Sequence, residues 1–262
     1  MKDDPLVFAY TPTQTTLDLI SALEPSLTVY DVVDHFGGHP EPPHDLARTE
    51  EELLEEADAV FTTSPLLQEL HEQRHPNVTR IHHGVSDEFF LEPREKRAHE
   101  NFCYFGTLRD GIDYAAVNAL AEAGFGVSLI GPEKDPAPKL HPKIERVGAL
   151  PVSELTRRLR GFDGILLPYT DSEWNKGITP AKIYECLATG RPVLSSKMPG
   201  LAQVEDHLYV SEGPAGFVRS AKSLDSAETP ERADARVSEA RKRSTPAQFE
   251  RIVAILAGTR RA

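Results

Sequence analysis

The stretch Thr179-Pro180-Ala181-Lys182-Ile183-Tyr184-Glu185-Cys186-Leu187-Ala188-Thr189-Gly190-Arg191-Pro192-Val193 decides how this chain is read. Thr179 is a capping residue type and Pro180 suits a first helical turn, so the spacing predicts a helix over residues 181–188. Free N–H groups at such a start form an anion site. Ile183 and Leu187, four apart, can bury on a sheet, while Lys182 and Glu185, three apart, share another face. A lysine beside a helix start neutralises phosphate charge, and a carboxylate one turn later accepts from the vicinal hydroxyls of a ribose. The same spacing equally describes a solvent-facing Lys–Glu pair, worth only about a few tenths of a kcal/mol. The residues alone leave both readings open.

Around this helix, short β-branched or aromatic runs alternate with amphipathic stretches, the pattern of βα units and a parallel sheet. Strands are expected at residues 102–105, 126–130, 144–147, 164–167, 192–195 and 208–210, and helices at 114–123, 152–159 and 214–224. Upstream, strands at 6–9, 27–33, 59–62 and 79–81 are separated by helices at 16–23, 46–57 and 65–72. The Gly/Pro-rich run Gly37-Gly38-His39-Pro40-Glu41-Pro42-Pro43 reads as a loop. A polar interruption from His83 to about Glu100 sets a boundary, giving units 1–98 and 99–262. Helix-forming, charged segments at 230–242 and 246–256 should pack along the outside. The order is that of a doubly wound α/β sheet, whose ligand lies beyond the carboxyl ends of the strands.

Strand ends in the second unit carry Gly106-Thr107, Gly131-Pro132, Gly148-Ala149 and Pro168-Tyr169. Glycine there lets a ligand approach the backbone and leaves N–H groups free to donate to it, although ordinary βα turns use the same residues.

Lys plus Arg number 29 against 41 Asp plus Glu, a net charge of -12, which disfavours a nucleic-acid partner and makes any phosphate site local. Cys103 and Cys186 lie in apolar runs far apart, as reduced buried thiols would in a cytoplasmic protein. No run reaches the roughly 20 apolar residues of a spanning helix, and the start lacks a signal-peptide core, so membrane contact would be peripheral.

The run Pro180-x-Lys182-x-x-Glu185-Cys186-Leu187-Ala188-x-Gly190-x-Pro192-Val193 resembles the donor-site signature of glycosyltransferases of the GT-B fold, above all the family-4-like group. The resemblance extends over nearly the whole chain. Phe102–Leu108 resembles the first strand and Gly turn of the C-terminal domain, and Leu129-Ile130-Gly131-Pro132 its next strand end. Val147–Pro151 with Glu154-Leu155 is similar to the segment that contacts the nucleobase, and Phe162–Tyr169 to the strand leading to the donor loop. Upstream, Val29–Asp34, Ala57–Ser64 and His83-Gly84-Val85 resemble the end of the acceptor domain and the linker.

This resemblance implies two Rossmann-like doubly wound domains, the N-terminal one truncated, and transfer of a sugar from a nucleotide diphosphate-sugar, a UDP-sugar first, to an acceptor hydroxyl. Such chemistry serves polysaccharide, glycolipid or natural-product glycoside synthesis and needs no metal ion and no cofactor beyond the donor. Carried over, Lys182 binds the diphosphate and Glu185 the ribose. Ile178 and Thr179 offer backbone N–H groups, and Gly106 and Thr107 face the phosphates. Arg109 supplies further positive charge. Gly131, the run Gly148-Ala149-Leu150 and Tyr169 complete the donor-binding set. On the acceptor side Asp31, Asp34 and His35 lie at the end of a strand, where an Asp or His can take a proton from the acceptor; a capped strand end or a surface carboxylate is the plainer reading. Asp34 is the first choice of base for an inverting reaction.

Three departures qualify the match. Gly177 stands where many members carry the first acid of a Glu-x7-Glu motif. Thr107 replaces an arginine. The acceptor-side unit is shorter than the family's, which implies a second copy or another chain to complete its sheet, and a nucleotide-sugar-binding accessory subunit is the alternative function. His35, His39 and His44 invite a metal, yet the loop lacks thiolates or a helical His pair.

Overall fold

The computed structural model describes residues 5–38, 42–93, 98–136, 138–172, 175–176 and 178–259. Gly177 and His39 fall outside them. Two parallel sheets form. The first has four strands in the order β1-β2-β3-β4: β1 Leu6–Ala9, β2 Leu27–Val32, β3 Ala59–Thr62 and β4 Val78–Arg80. The second has six in the order β10-β9-β8-β5-β6-β7: β5 Asn101–Phe105, β6 Gly126–Ile130, β7 Glu145–Gly148, β8 Gly164–Leu167, β9 Val193–Ser196 and β10 Tyr209–Ser211.

The central strands are largely apolar because crossover helices cover both faces. All four residues of β8 are buried, whereas the edge strand β7 carries exposed Glu145 and Arg146, which discourage further pairing. Helices α1 Gln14–Leu23, α2 Leu46–Glu56 and α3 Pro65–Glu72 serve the first sheet, and α4 Tyr114–Glu122, α5 Val152–Leu159, α6 Ile183–Ala188 and α7 Gly213–Ala227 the second. Local chemistry starts them. Ser64 Oγ accepts from Leu67 N–H at 3.2 Å with Pro65 in the first turn, and Asp113 Oδ1 accepts from Ala116 N–H at 3.0 Å.

Two further helices, α8 Pro230–Arg241 and α9 Thr245–Thr259, follow. Helix α9 packs along the outside as expected, with Phe249 and Val253 exposed, and its inner side covers one face of the first sheet. Side chains of β2 and β3 alternate between faces. Tyr30, Val32 and Val60 bury against α2 and α3 through Leu53, Leu54 and Leu67, while Leu27, Val29, Ala59 and Phe61 bury with Ile81 and Leu256 of α9. The chain's last helix thus returns to supply the missing cover for the first sheet. Its entry is pinned where Val85 N–H donates to Arg243 O at 2.8 Å and Thr245 N–H donates to Val85 O at 3.0 Å.

Relative to β5, the second sheet runs three strands one way (β5, β6, β7) and three the other (β8, β9, β10), the doubly wound order with its reversal between β5 and β8. The crevice beyond Phe105 and Leu167 is therefore where a ligand belongs.

Candidate functional site

At that reversal the turn after β5 is held by its neighbours. Leu108 N–H donates to Pro132 O at 2.8 Å, and Thr170 N–H donates to Gly111 O at 2.9 Å. Buried Asn175 donates through Nδ2 to Gly111 O at 3.0 Å and to Thr170 O at 2.9 Å, clamping the β5 and β8 turns together. Gly106 (φ 128°) and Gly131 (φ 150°) occupy backbone conformations that side chains rarely adopt. A Cβ on Gly131 would overlap Gly106 O, and one on Gly106 would overlap Lys182 Nζ. The glycines let the two turns and a lysine meet; the space beside Gly131 is filled by the neighbouring turn.

Lys182 reaches this point from the residue before α6. Its ammonium donates to Phe105 O at 2.5 Å and lies 3.8 Å from the centroid of the Tyr104 ring. Burial pushes its pKa down to about 8, and Arg109 nearby pushes the same way. No carboxylate lies within ion-pair distance of Lys182 or of Arg109 among the described residues. The Lys182 ammonium is solvated by a neutral carbonyl and an aromatic face, and the Arg109 guanidinium has no hydrogen-bond partner among the described residues.

Glu185, half-buried on α6, makes no hydrogen bond to a described residue. Burial raises its carboxyl pKa, an effect Lys182 partly opposes. The solvent-facing Lys–Glu pair is thereby excluded. The two side chains share one helix end without bonding each other, and Lys182 turns to the β5 end.

One expectation needs correction. Thr179 does not cap the helix: its hydroxyl donates to Gly200 O at 3.2 Å, and α6 begins at Ile183 with no side-chain cap. A Cβ on Gly200 would overlap Ile178 O, so the segment before α6 packs tightly on the turn at 199–207. The positive charge near this end comes from the Lys182 and Arg109 side chains, since the short helix starts too late for its first N–H groups to fall at Thr179.

Gly106, Tyr169, Arg109 and Lys182 come together at the β5–β8 reversal, with Gly131 against Gly106. The Tyr169 and Tyr104 rings meet edge to face at 6.5 Å. Thr107 is exposed at the rim. Gly148 and Ala149 are exposed after edge strand β7, with open space where a Gly148 Cβ would stand, and Leu150 packs partly against the second core. On the first sheet, Asp34 Oδ1 accepts from His35 N–H at 3.1 Å, which is the capped strand end. No hydrogen bond or ion pair joins Asp34 or His35 to the Lys182 cluster among the described residues. Asp31, inside β2, has its carboxyl raised to about 6 by burial. Tyr104 and Asn175 were not singled out from the sequence; alternation along β5 places Tyr104 on one face, but only the fold brings Lys182 over it.

Cys103 and Cys186 are free and buried. Among the described residues no helix is long and apolar enough to cross a membrane.

No family profile and no curated protein matches this chain. Solved structures do. Sucrose-phosphate synthase from Thermosynechococcus elongatus aligns with a TM-score of 0.74 at 14% identity, covering 97% of this chain and 73% of its own. HepE from Anabaena, solved in complex with UDP-glucose, aligns with a TM-score of 0.73 at 15% identity over 97% of this chain and 78% of its own. A glycosyltransferase from Rickettsia africae aligns with a TM-score of 0.65 at 14% identity over 97% and 76%. At such identities the likeness is one of architecture, and by architecture this chain is a GT-B-like protein, built on the two-domain α/β fold of these glycosyltransferases.

Proposed function

We propose that this chain is a glycosyltransferase that takes a sugar from a nucleotide diphosphate-sugar, a UDP-sugar first, and passes it to an acceptor hydroxyl. The observation that carries the reading is the pair of cations, Lys182 and Arg109, gathered at the sheet reversal with no carboxylate bound to either among the described residues, beside the Glu185 carboxylate, which bonds to no described residue. A cation drawn out of water without a described counter-charge, as Lys182 is, is costly in the free protein and becomes favourable when a pyrophosphate arrives. Glu185 then accepts from the ribose hydroxyls. That HepE was solved with UDP-glucose supports a donor of this class.

In the transfer, the bond from the sugar's anomeric carbon to the diphosphate breaks and a bond to the acceptor oxygen forms. Negative charge grows on the leaving diphosphate, where Lys182 and Arg109 stabilise it more in the transition state than in the ground state. These fixed cations take the part a metal ion would otherwise play. The acceptor's proton passes to Asp34 or His35 in an inverting reaction and to a donor phosphate oxygen in a retaining one. Two buried free thiols suit a reaction of the cytoplasm.

The test is titration with UDP and GDP, followed by transfer and donor-hydrolysis assays on Lys182→Ala and Glu185→Ala. Lys182→Ala should slow transfer, and Glu185→Ala should chiefly weaken donor binding; equal activity in both variants removes the assignment. Binding without turnover favours the accessory-subunit reading, to which Gly177 in place of an acid already points.

A further inference from the structure

A second gathering of cations lies where the two sheets join. His82, just beyond β4, sets its ring edge-on to Tyr184 of α6 at 5.3 Å, and Gln203 Nε2 donates to the Tyr184 hydroxyl at 3.0 Å. Beside them opens a cavity of about 350 Å³ whose charged lining is Arg80, Arg243 and Arg251, with His82, Gln203 and Thr79 among its polar groups. No carboxylate is among its described lining residues. In a chain with 41 acidic against 29 basic residues, that exclusion of acids is unexpected.

Two of the three guanidiniums facing the cavity are unspent among the described residues, and the third is only partly engaged, with Nη1 donating to Lys242 O at 3.5 Å. The side chains of Arg80 and Arg251 make no hydrogen bond or ion pair with any described residue. The Arg243 Nε is buried without a partner; its other end lies 3.9 Å from Glu239, which also accepts from Lys242. The His82 ring is 6% exposed and hydrogen-bonds to no described residue, since only its backbone N–H is engaged, by Gln248 Oε1 at 3.3 Å. Burial and the surrounding guanidiniums hold that ring neutral, with its pKa pushed down to about 4. Three guanidinium forks around one opening repel each other until a multidentate anion enters, and planar forks match the oxygens of a tetrahedral phosphate.

The geometry points to a second, oxyanion-binding site at this junction, one that takes a phosphate group, free or carried as a monoester on a small molecule, between Arg80, Arg243 and Arg251. The volume is at the small end for ligand clefts, enough for a phosphate with a short organic substituent. Arg80 and Thr79 come from the first sheet, Gln203 from the second unit and Arg243 from the turn between α8 and α9. A bound phosphate therefore ties the two units together, and it does so whether or not the donor-site reading holds.

The experiment titrates inorganic phosphate into the full chain by calorimetry, with melting followed against sodium chloride at matched ionic strength. Phosphate should bind saturably and raise the melting temperature beyond chloride. Arg80→Gln and Arg251→Gln, which touch no partner and should leave the phosphate-free melting temperature unchanged, should each weaken binding by about tenfold, while Lys182→Met leaves it unaltered. Glycerol 3-phosphate binding tighter than phosphate assigns the site to a monoester, and weaker binding assigns it to the free ion. A phosphate effect no larger than chloride's overturns the site. So does binding that Lys182→Met removes and the arginine variants leave intact, because the phosphate would then sit at the sheet reversal.

Discussion

Raising the pH from 7 to 9 should loosen a nucleoside diphosphate from this chain about tenfold, and the loss traces to one proton on Lys182. In the free protein burial holds that ammonium's pKa near 8, so it is largely charged at pH 7 and largely neutral at pH 9. A pyrophosphate beside it restores the ordinary value of 10.5, keeping it charged throughout. Linkage then gives uptake of about 0.1 proton per UDP bound at pH 7 and about 0.9 at pH 9, and the affinity ratio between the two is about ten. The phosphate's own second ionisation, near about 6, lies below this window and does not compete. Calorimetric titration of UDP in buffers of different ionisation enthalpy reads the uptake directly. Lys182→Met should show weak binding, no uptake and a flat pH profile. Wild-type affinity that is flat from pH 7 to 9, with enthalpy independent of buffer, would refute the placement of Lys182 against the diphosphate.

Other perturbations follow from the same coordinates. Glu185→Gln should melt higher in the free state, because a half-buried carboxylate without a partner is removed, yet bind UDP about tenfold more weakly, since hydrogen bonds to a charged acceptor are worth about 1.5–3 kcal/mol. Gly131→Ala should cost at least about 2 kcal/mol in urea unfolding because its Cβ meets Gly106 O at a strained φ, whereas Gly124→Ala, with open space around it, should cost only about 1 kcal/mol. Asp31→Asn should stabilise the chain by about 2–3 kcal/mol at pH 8. Its folded pKa of about 6 lies above the ordinary 3.8, so the penalty of the ionised form is full above the folded value and fades as pH falls between them. Unfolding at pH 4 should therefore show no gain.

Most strands were legible because a doubly covered parallel strand needs a continuous apolar run bounded by turn residues. Residues 6–9, 59–62, 126–130 and 164–167 coincide with β1, β3, β6 and β8. Long-range chemistry displaced the rest. The helix expected over residues 181–188 begins two residues late because Thr179 bonds to Gly200 O, a partner 21 residues away that no local pattern announces. The 3-10 turn Pro199–His207 that supplies it lies in a stretch to which the sequence pattern assigns no element. The return of α9 to the first sheet was hidden for a related reason: amphipathicity says that a helix has an apolar face, and says nothing of which sheet lacks a cover.

The site was half legible for the same cause. Spacing put Lys182 and Glu185 on one face of one helix end, and that is as far as spacing goes, because a solvent ion pair and a ligand cradle share it. What separates them is whether the two charges satisfy each other. In the fold they do not: Lys182 turns to Phe105 O and the Tyr104 ring, contacts 77 residues away for the carbonyl, and Glu185 is left open. A chain selected for stability alone would close that ion pair or replace the lysine with an apolar residue of similar length, since a buried ammonium on a neutral carbonyl is a poor bargain. The energetic defect is local, it sits at the sheet reversal where the topology independently puts a ligand, and a dianionic group is the chemistry that relieves it.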